Sequence, residues 1–201
     1  MSKVIVYDFD KTLTYKDTLR GYFVYSGKKD LFFLVKNIIY FFSMVLVKLK
    51  MMTNVQLKEI GIKLFLSKLE ENIFKEKALN YHNKITFNKL FESLTYRKEN
   101  NYFIVSASFE EYLKPIFPEV VNIVASKMTY VKSKPVGIKF NCYKENKVKA
   151  LREVGVETID ILYTDSYSDL EMAKIAKKII IVNQDTLIKC SSFNEFKQYF
   201  I

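Results

Sequence analysis

The sequence predicts an α/β fold: a Rossmann-like parallel sheet flanked by helices, with a helical cap inserted after the first strand. Three observations predict it. Short continuous runs of β-branched and aromatic residues recur along the chain, as strands buried on both faces require. Segments with helical spacing lie between them, and strands alternating with helices imply parallel pairing. The stretch from about residue 15 to 90 breaks this alternation with long apolar and amphipathic patterns and no clear strand.

The first run, Val4-Ile5-Val6-Tyr7, ends abruptly in Asp8-Phe9-Asp10. Tyr102-Phe103-Ile104-Val105, Ile161-Leu162-Tyr163 and Ile179-Ile180-Ile181-Val182 look alike, and Val120 to Ala125 makes a fifth. Val148, Leu151 and Val154 fall on one helical face, as do Leu170, Ala173 and Ala176. Asp17 to Ser26, Lys29 to Met52, Asn54 to Lys68 and Glu70 to Lys84 read as the helices of the insertion. Tyr130 to Tyr143, with Pro135-Val136-Gly137, reads as a β-hairpin on the core. The expected division is a core of residues 1–14 and 91–201, with a cap of residues 15–90.

A chain of 201 residues suits one domain carrying an insertion. Its 49 % hydrophobic and 27 % charged residues are ordinary for a globular protein. Five glycines and three prolines exclude a collagen-like or low-complexity chain. The formal net charge of +10 favours an anionic partner without naming one. The lysines are scattered, and no nucleic-acid signature accompanies them. Cys142 and Cys190 stand far apart without CxxC spacing, which points to a reducing compartment. The N-terminus reaches acidic residues too soon for a signal peptide, so the cytoplasm is the expected location. His82 is the only histidine, which argues against a Ser-His-Asp triad or a zinc site of His and Cys.

Leu31 to Val47 is strongly apolar but contains Lys36, Asn37 and Ser43. A spanning helix needs about 20 mostly apolar residues, and a central lysine is costly there. The expectation is a buried or groove-lining helix. Peripheral contact with the inner face of a membrane is the second reading.

In open α/β sheets, ligands bind beyond the carboxyl ends of the strands. Asp8, Asp10 and Thr12 follow the first strand, Ser106 and Ser108 the second, and Thr164, Asp165 and Asp169 the third, while Lys147 opens a helix. Singly, each is explained as a cap, a turn residue or a surface lysine. Their joint occurrence at one rim is not. Four crowded carboxylates repel each other, and a hard divalent cation removes that cost. An all-oxygen set suits magnesium better than zinc. A carboxylate near such a metal can attack phosphorus and form an aspartyl-phosphate. A second acid two residues on can protonate the leaving oxygen and then activate water. A lysine and backbone N–H groups can neutralise the transferring phosphoryl group.

These residues resemble a family. Asp8-Phe9-Asp10-Lys11-Thr12-Leu13-Thr14 looks like the DxDGT signature of the haloacid dehalogenase-like hydrolases, and Ile104-Val105-Ser106-Ala107-Ser108 resembles their second motif. Lys147, within Lys144-Glu145-Asn146-Lys147-Val148, resembles the third-motif lysine, and Asp165-Ser166-Tyr167-Ser168-Asp169 the fourth motif. The details are similar to the subfamily containing phosphoserine phosphatases and a bacterial phosphatidylglycerophosphate phosphatase, whose members carry a helical cap just after the first motif.

The resemblance implies a magnesium-dependent phosphatase. Asp8 would be nucleophile and metal ligand. Asp10 would be acid and base, and would offer its backbone carbonyl to the metal. Thr12 would support the loop. Ser106, the N–H of Ala107 and Ser108 would hold phosphate, and Lys147 would bridge Asp8 and phosphate. Asp165 would bind magnesium and Asp169 would orient a metal-bound water. Dehalogenase members lack the second acid of the first motif, so Asp10 argues for phosphoryl transfer. Lys11, Lys144 and Thr164 stand where the family pattern has glycine, and no departure removes a catalytic group.

Phosphoserine phosphatases select their substrate with a cap Glu and Arg. Arg20 lies close after the first motif, but no complete pair is recognisable. The aromatic-rich segment with Phe32, Phe33, Tyr40, Phe41 and Phe42 is more apolar than an amino-acid pocket needs. Helix packing explains it, as does a groove for a lipid phosphate. The expected substrate is therefore a small phosphorylated metabolite or a phospholipid headgroup phosphate. A phosphate-binding module with vestigial chemistry and a phosphotransferase are the competing classes.

Overall fold

The computed structural model describes residues 2–201. Its centre is β1 (Val4–Tyr7). The chain then runs through α1 (Leu19–Ser26), α2 (Phe33–Lys48), α3 (Asn54–Gly61), α4 (Glu71–Asn80) and the short α5 (Lys89–Glu92) before returning to the sheet. There follow β2 (Asn101–Phe109), α6 (Glu110–Leu113), β3 (Val121–Val131), β4 (Lys134–Phe140), α7 (Glu145–Glu153), β5 (Ile161–Thr164), α8 (Leu170–Lys174), β6 (Ile179–Asn183), β7 (Thr186–Cys190) and α9 (Phe193–Tyr199).

The seven strands form one sheet in the order β4-β3-β2-β1-β5-β6-β7. The five inner strands pair in parallel, and β4 and β7 are antiparallel edges. All five predicted strand runs lie in it. The edge strand β7 and helix α9 had no clear sequence signal, because both are short and half-exposed. The predicted hairpin exists as β3 and β4, but its turn falls at Lys132-Ser133, both with positive φ. Pro135 and Gly137 lie inside β4, where an edge strand tolerates a missing donor.

Side chains alternate across β1, as the strand period of two requires. Ile5 and Tyr7 join a core with the helices between β1 and β2. Val6 joins a second core with Val148, Leu151, Met172 and Phe196 from α7, α8 and α9. Both faces of the sheet are thus covered, which explains why its strands read as continuous apolar runs.

Helix α3 opens on a capping box, in which Thr53 accepts from the N–H of Gln56 and Gln56 accepts from the N–H of Thr53. It continues into a π-helical turn at Ile62–Leu66. Gly61 lets the ring of Phe23 lie against the α3 backbone, since any Cβ there would overlap that ring. Phe23 gathers Tyr40, Phe65 and Phe109 around itself, joining α1, α2 and the π-turn to the end of β2.

Helix α2 departs from expectation. It was predicted to be buried or to line a groove. Only the stripe containing Phe33, Tyr40, Met44 and Val47 packs on the protein, while Leu34, Phe41 and Phe42 are at least half exposed. One helix packed on one side buries one stripe, whatever the composition of the other.

Candidate active site

The chain leaves β1 and meets the ends of β2 and β5 on either side, and the N–H of Asp8 donates to the carbonyl of Tyr163 at 2.9 Å. This places Asp8 at the floor of a cavity of about 270 Å³ beyond the carboxyl ends of the strands. Lys147, in the first turn of α7, is buried beside it. Its Nζ donates to Asp8 Oδ1 and to Asp169 Oδ1, both at 2.7 Å. Burial alone would lower the Lys147 pKa, but Asp169 and Asp8 outweigh it and hold it above its usual value. Asp169 also accepts from the Thr164 hydroxyl at 2.7 Å, and burial raises its pKa to about 6.

Asp10 is held by three donors. The Thr18 N–H and hydroxyl reach Oδ1 at 2.6 Å each, and the Ser108 hydroxyl reaches Oδ2 at 2.5 Å. Burial, with Asp17 nearby, outweighs these bonds and raises its pKa to about 6. Thr18 is itself fixed by Tyr112 at 2.9 Å. Lys11, between the two acids, adopts φ +60°, the left-handed conformation that favours glycine.

The end of β2 supplies the opposite wall. Its register with β3 shifts between Ser106 and Phe109, a bulge that frees Ala107 and Ser108 from the ladder. Both line the cavity. Ser106 sits beneath them, where its Oγ accepts from the Ser108 N–H at 3.0 Å. Thr12 is also buried, its hydroxyl 3.3 Å from Asp8 and 3.4 Å from Asp165. Asp165 lines the cavity, and burial together with Asp8 and Asp169 raises its pKa to about 8.

Of the predicted site residues, Asp8, Asp10, Lys147, Ala107, Ser108 and Asp165 line one cavity. Thr12, Ser106 and Asp169 stand behind them in the hydrogen-bond network. Arg20 is exposed and does not line it.

Several residues of the upper wall were missed, two of them charged. Asp17 precedes α1, and Lys58 reaches down from α3. Lys58 is fully buried and donates to Asn141 Oδ1 at 2.6 Å, to Ser126 Oγ at 3.1 Å and to the carbonyl of Ala107. Burial lowers its pKa to about 8. The sequence held a signal for it. Lys58 shares a helical stripe with Ile62 and Phe65, where an apolar residue belongs.

The residues suit a hard cation. Asp8 and Asp165 approach each other through Thr12, and burial first, then the charges of Asp8 and Asp169, raise the Asp165 pKa. Among the described residues, no group of three or more His, Cys, Asp or Glu is arranged to hold a metal. Two carboxylates suffice for magnesium, which commonly keeps several waters and takes further ligands from a phosphate. Asp169 has both oxygens engaged by Lys147 and Thr164.

A family model described as haloacid dehalogenase-like hydrolase matches residues 5–174. No curated protein matches the chain. Among solved structures, a protein of unknown function from Bordetella pertussis Tohama I is 16 % identical, with a TM-score of 0.69 and 90 % of each chain covered. A substrate-bound phosphoserine phosphatase complex is 15 % identical, with a TM-score of 0.61, covering 99 % of this chain and 98 % of that one. A phospho-aspartyl intermediate analogue of phosphoserine phosphatase is 15 % identical, with a TM-score of 0.58 and 99 % of each chain covered. At these identities the likeness is one of fold.

Proposed function

This chain belongs to the haloacid dehalogenase-like hydrolase family, and from that premise we propose that it is a magnesium-dependent phosphomonoester hydrolase acting through an aspartyl-phosphate on Asp8. The observation that carries the reading is the floor of the cavity. Asp8 lies in a buried ion pair with Lys147, and a second acid with a raised pKa stands two residues away. Lys147 lays a positive charge against the carboxylate that acts as the nucleophile. A raised pKa near 6 lets Asp10 both give and take a proton close to neutral pH.

In the first half-reaction, an Asp8 oxygen forms a bond to phosphorus. The bond to the leaving oxygen breaks, and that oxygen takes the Asp10 proton. In the second, ionised Asp10 takes a proton from water as the water attacks phosphorus. The bond to Asp8 breaks, phosphate is released, and both acids return to their starting states. Ala107, freed from the ladder by the bulge, would offer its N–H to the phosphoryl oxygens, with Ser108 held beside it by Ser106 and Asp10 and with Thr12 bracing Asp8. Lys147 spans Asp8 and the phosphoryl group. Asp8, Asp165 and the Asp10 carbonyl would hold magnesium, which when bound supplies positive charge to the phosphoryl oxygens. Asp169 orients Lys147 and would also help to orient a water held by the metal.

Residues 15–90 act as a cap over a core of 1–14 and 91–201. The cap contributes Asp17, Asn54 and Lys58 to the cavity. One acidic and one basic cap residue suit a small phosphorylated metabolite with charged groups on its tail. The apolar side chains of α2 do not line this cavity, which favours such a metabolite over a lipid phosphate.

The test is phosphate release from an aryl phosphate and from a panel of small charged phosphomonoesters, with magnesium and with chelator. Native chain is compared with Asp8→Asn. Magnesium-dependent release that falls by three or more orders of magnitude in the variant is the expected result. Release that survives the substitution would refute the assignment of the nucleophile.

A further inference from the structure

The outer face of α2 is apolar throughout. Every exposed residue from position 31 to 47 is apolar, and Leu31, Phe32, Leu34 and Phe42 are all more than 60 % exposed. The polar residues of the segment turn the other way and satisfy themselves. Lys36 pairs with Asp30 at 2.7 Å. The Asn37 amide donates to the carbonyl of Phe33 at 2.8 Å, and the Ser43 hydroxyl to that of Ile39 at 2.9 Å. A surface helix of a water-exposed face shows the reverse arrangement. Contiguous exposed apolar surface of this kind marks a place where something docks.

We infer that this face of α2 is a docking surface for an anionic lipid bilayer, with the helix lying in the plane of the interface. Three features choose this occupant. Exposed lysines bracket the apolar face at both ends, Lys28 and Lys29 before it and Lys48 and Lys50 after it. That is the arrangement by which a helix sinks its apolar side chains below the headgroups while its cations meet lipid phosphates. The whole chain carries a net charge of +10, so long-range attraction acts in the same direction.

The helix is also too short to cross. Its 16 residues span about 24 Å against a hydrocarbon core of about 30 Å, and no helix among the described residues is long and apolar enough to cross a membrane. A second copy of the chain is a poorer occupant. Pairing two such helices face to face, in either direction, sets lysines of one end against lysines of the other.

The inference does not rest on the phosphatase reading, and its test is independent of activity. The full-length chain is floated with vesicles of phosphatidylcholine alone, or of phosphatidylcholine with phosphatidylglycerol, at low and high salt. Native chain should float with the anionic vesicles and much less with the neutral ones, and salt should weaken binding. Phe41→Asp/Phe42→Asp changes exposed side chains and should cut the bound fraction at least tenfold. Lys28→Gln/Lys29→Gln/Lys48→Gln/Lys50→Gln should remove the preference for anionic lipid. Failure of the native chain to float with anionic vesicles would overturn the inference. So would binding unchanged in the double aspartate variant. Light scattering on the same samples settles the other occupant: a dimer that the aspartates split, with no vesicle binding, would make the face a contact between copies.

Discussion

Replacing Lys58 by methionine should separate stability from activity. The ammonium is fully buried, and burial lowers its pKa from 10.5 to about 8. That difference corresponds to about 3 kcal/mol of penalty on the charged form. Below pH 8 the folded chain bears all of it. Methionine removes the charge and keeps most of the packing. Hydrogen bonds are lost in return, but the acceptors are not all abandoned. The Ala107 carbonyl keeps the Ser126 hydroxyl at 2.8 Å, and Ser126 Oγ keeps the N–H of Cys142 at 3.0 Å. Asn141 Oδ1 alone loses the donor that held it, at a cost of about 1–3 kcal/mol.

The two sums differ by about 0–2 kcal/mol, so the melting temperature at pH 7 should hold or rise by no more than about 8 °C. Activity should not be spared. Loss of the ammonium's attraction for an anionic tail in the cavity, about 2 kcal/mol at a separation of several ångströms, should lower kcat/KM on a charged metabolite by about 10- to 100-fold, and less on a plain aryl phosphate.

A pH series sharpens the test. Folded Lys58 releases its proton near pH 8, while the unfolded chain holds it to about 10.5. Between these values the unfolded state binds more protons, so rising pH favours folding. From pH 8 to 9.5 the native chain should therefore gain stability relative to Lys58→Met. Thermal melts and steady-state kinetics on the same preparations decide. A fall of more than about 10 °C with kcat/KM unchanged would refute the reasoning and make Lys58 a structural cation.

Other outcomes follow from the same geometry. Lys147→Met leaves Asp8 and Asp169 buried without their cation, and should cost about 3–5 kcal/mol in chemical denaturation along with all phosphate release. Asp10 has its pKa raised to about 6 by burial. In rapid-quench measurements, phosphorylation of Asp8 should therefore weaken above pH 6 and hydrolysis of the phosphoenzyme below it, so turnover traces a bell. Lys144 precedes α7 at φ +52° and ψ −125°, a conformation nearly confined to glycine. Lys144→Gly should raise stability by about 1 kcal/mol, read as a shift of a few degrees in melting temperature.

The sequence carried the sheet because its inner strands are buried on both faces, and such burial leaves continuous apolar runs such as Ile179-Ile180-Ile181-Val182. It carried the floor of the site because Asp8, Lys147 and Asp165 follow or adjoin those strands. What it did not carry depends on packing between distant segments. Asp17 and Lys58 are 41 positions apart, and only the docking of α3 over the bulge in β2 brings them above one cavity. The fate of α2 was likewise hidden, since composition shows that a helix is apolar but not which stripe finds a partner. Lys11 and Lys144 stand where the family pattern has glycine, and both have positive φ. The backbone kept the shape that glycine makes easy, and the side chains bear the strain.

The chain enters and leaves the helical segment at nearly one point. Thr14 bridges Phe87 in antiparallel fashion, the N–H of Tyr15 donates to the carbonyl of Thr86 at 3.1 Å, and the Asn88 side chain donates to the carbonyl of Thr12 at 2.9 Å. Some seventy residues are thus tied off at a single seam, and from there they fold back over one face of the sheet. Insertions whose ends meet can be lengthened, shortened or exchanged without moving the strands they interrupt. The acids on the floor and the helices above them are nonetheless joined through Thr18, which holds Asp10, so a different helical segment grafted between Thr14 and Phe87 would spare the floor only if it returned those two donors.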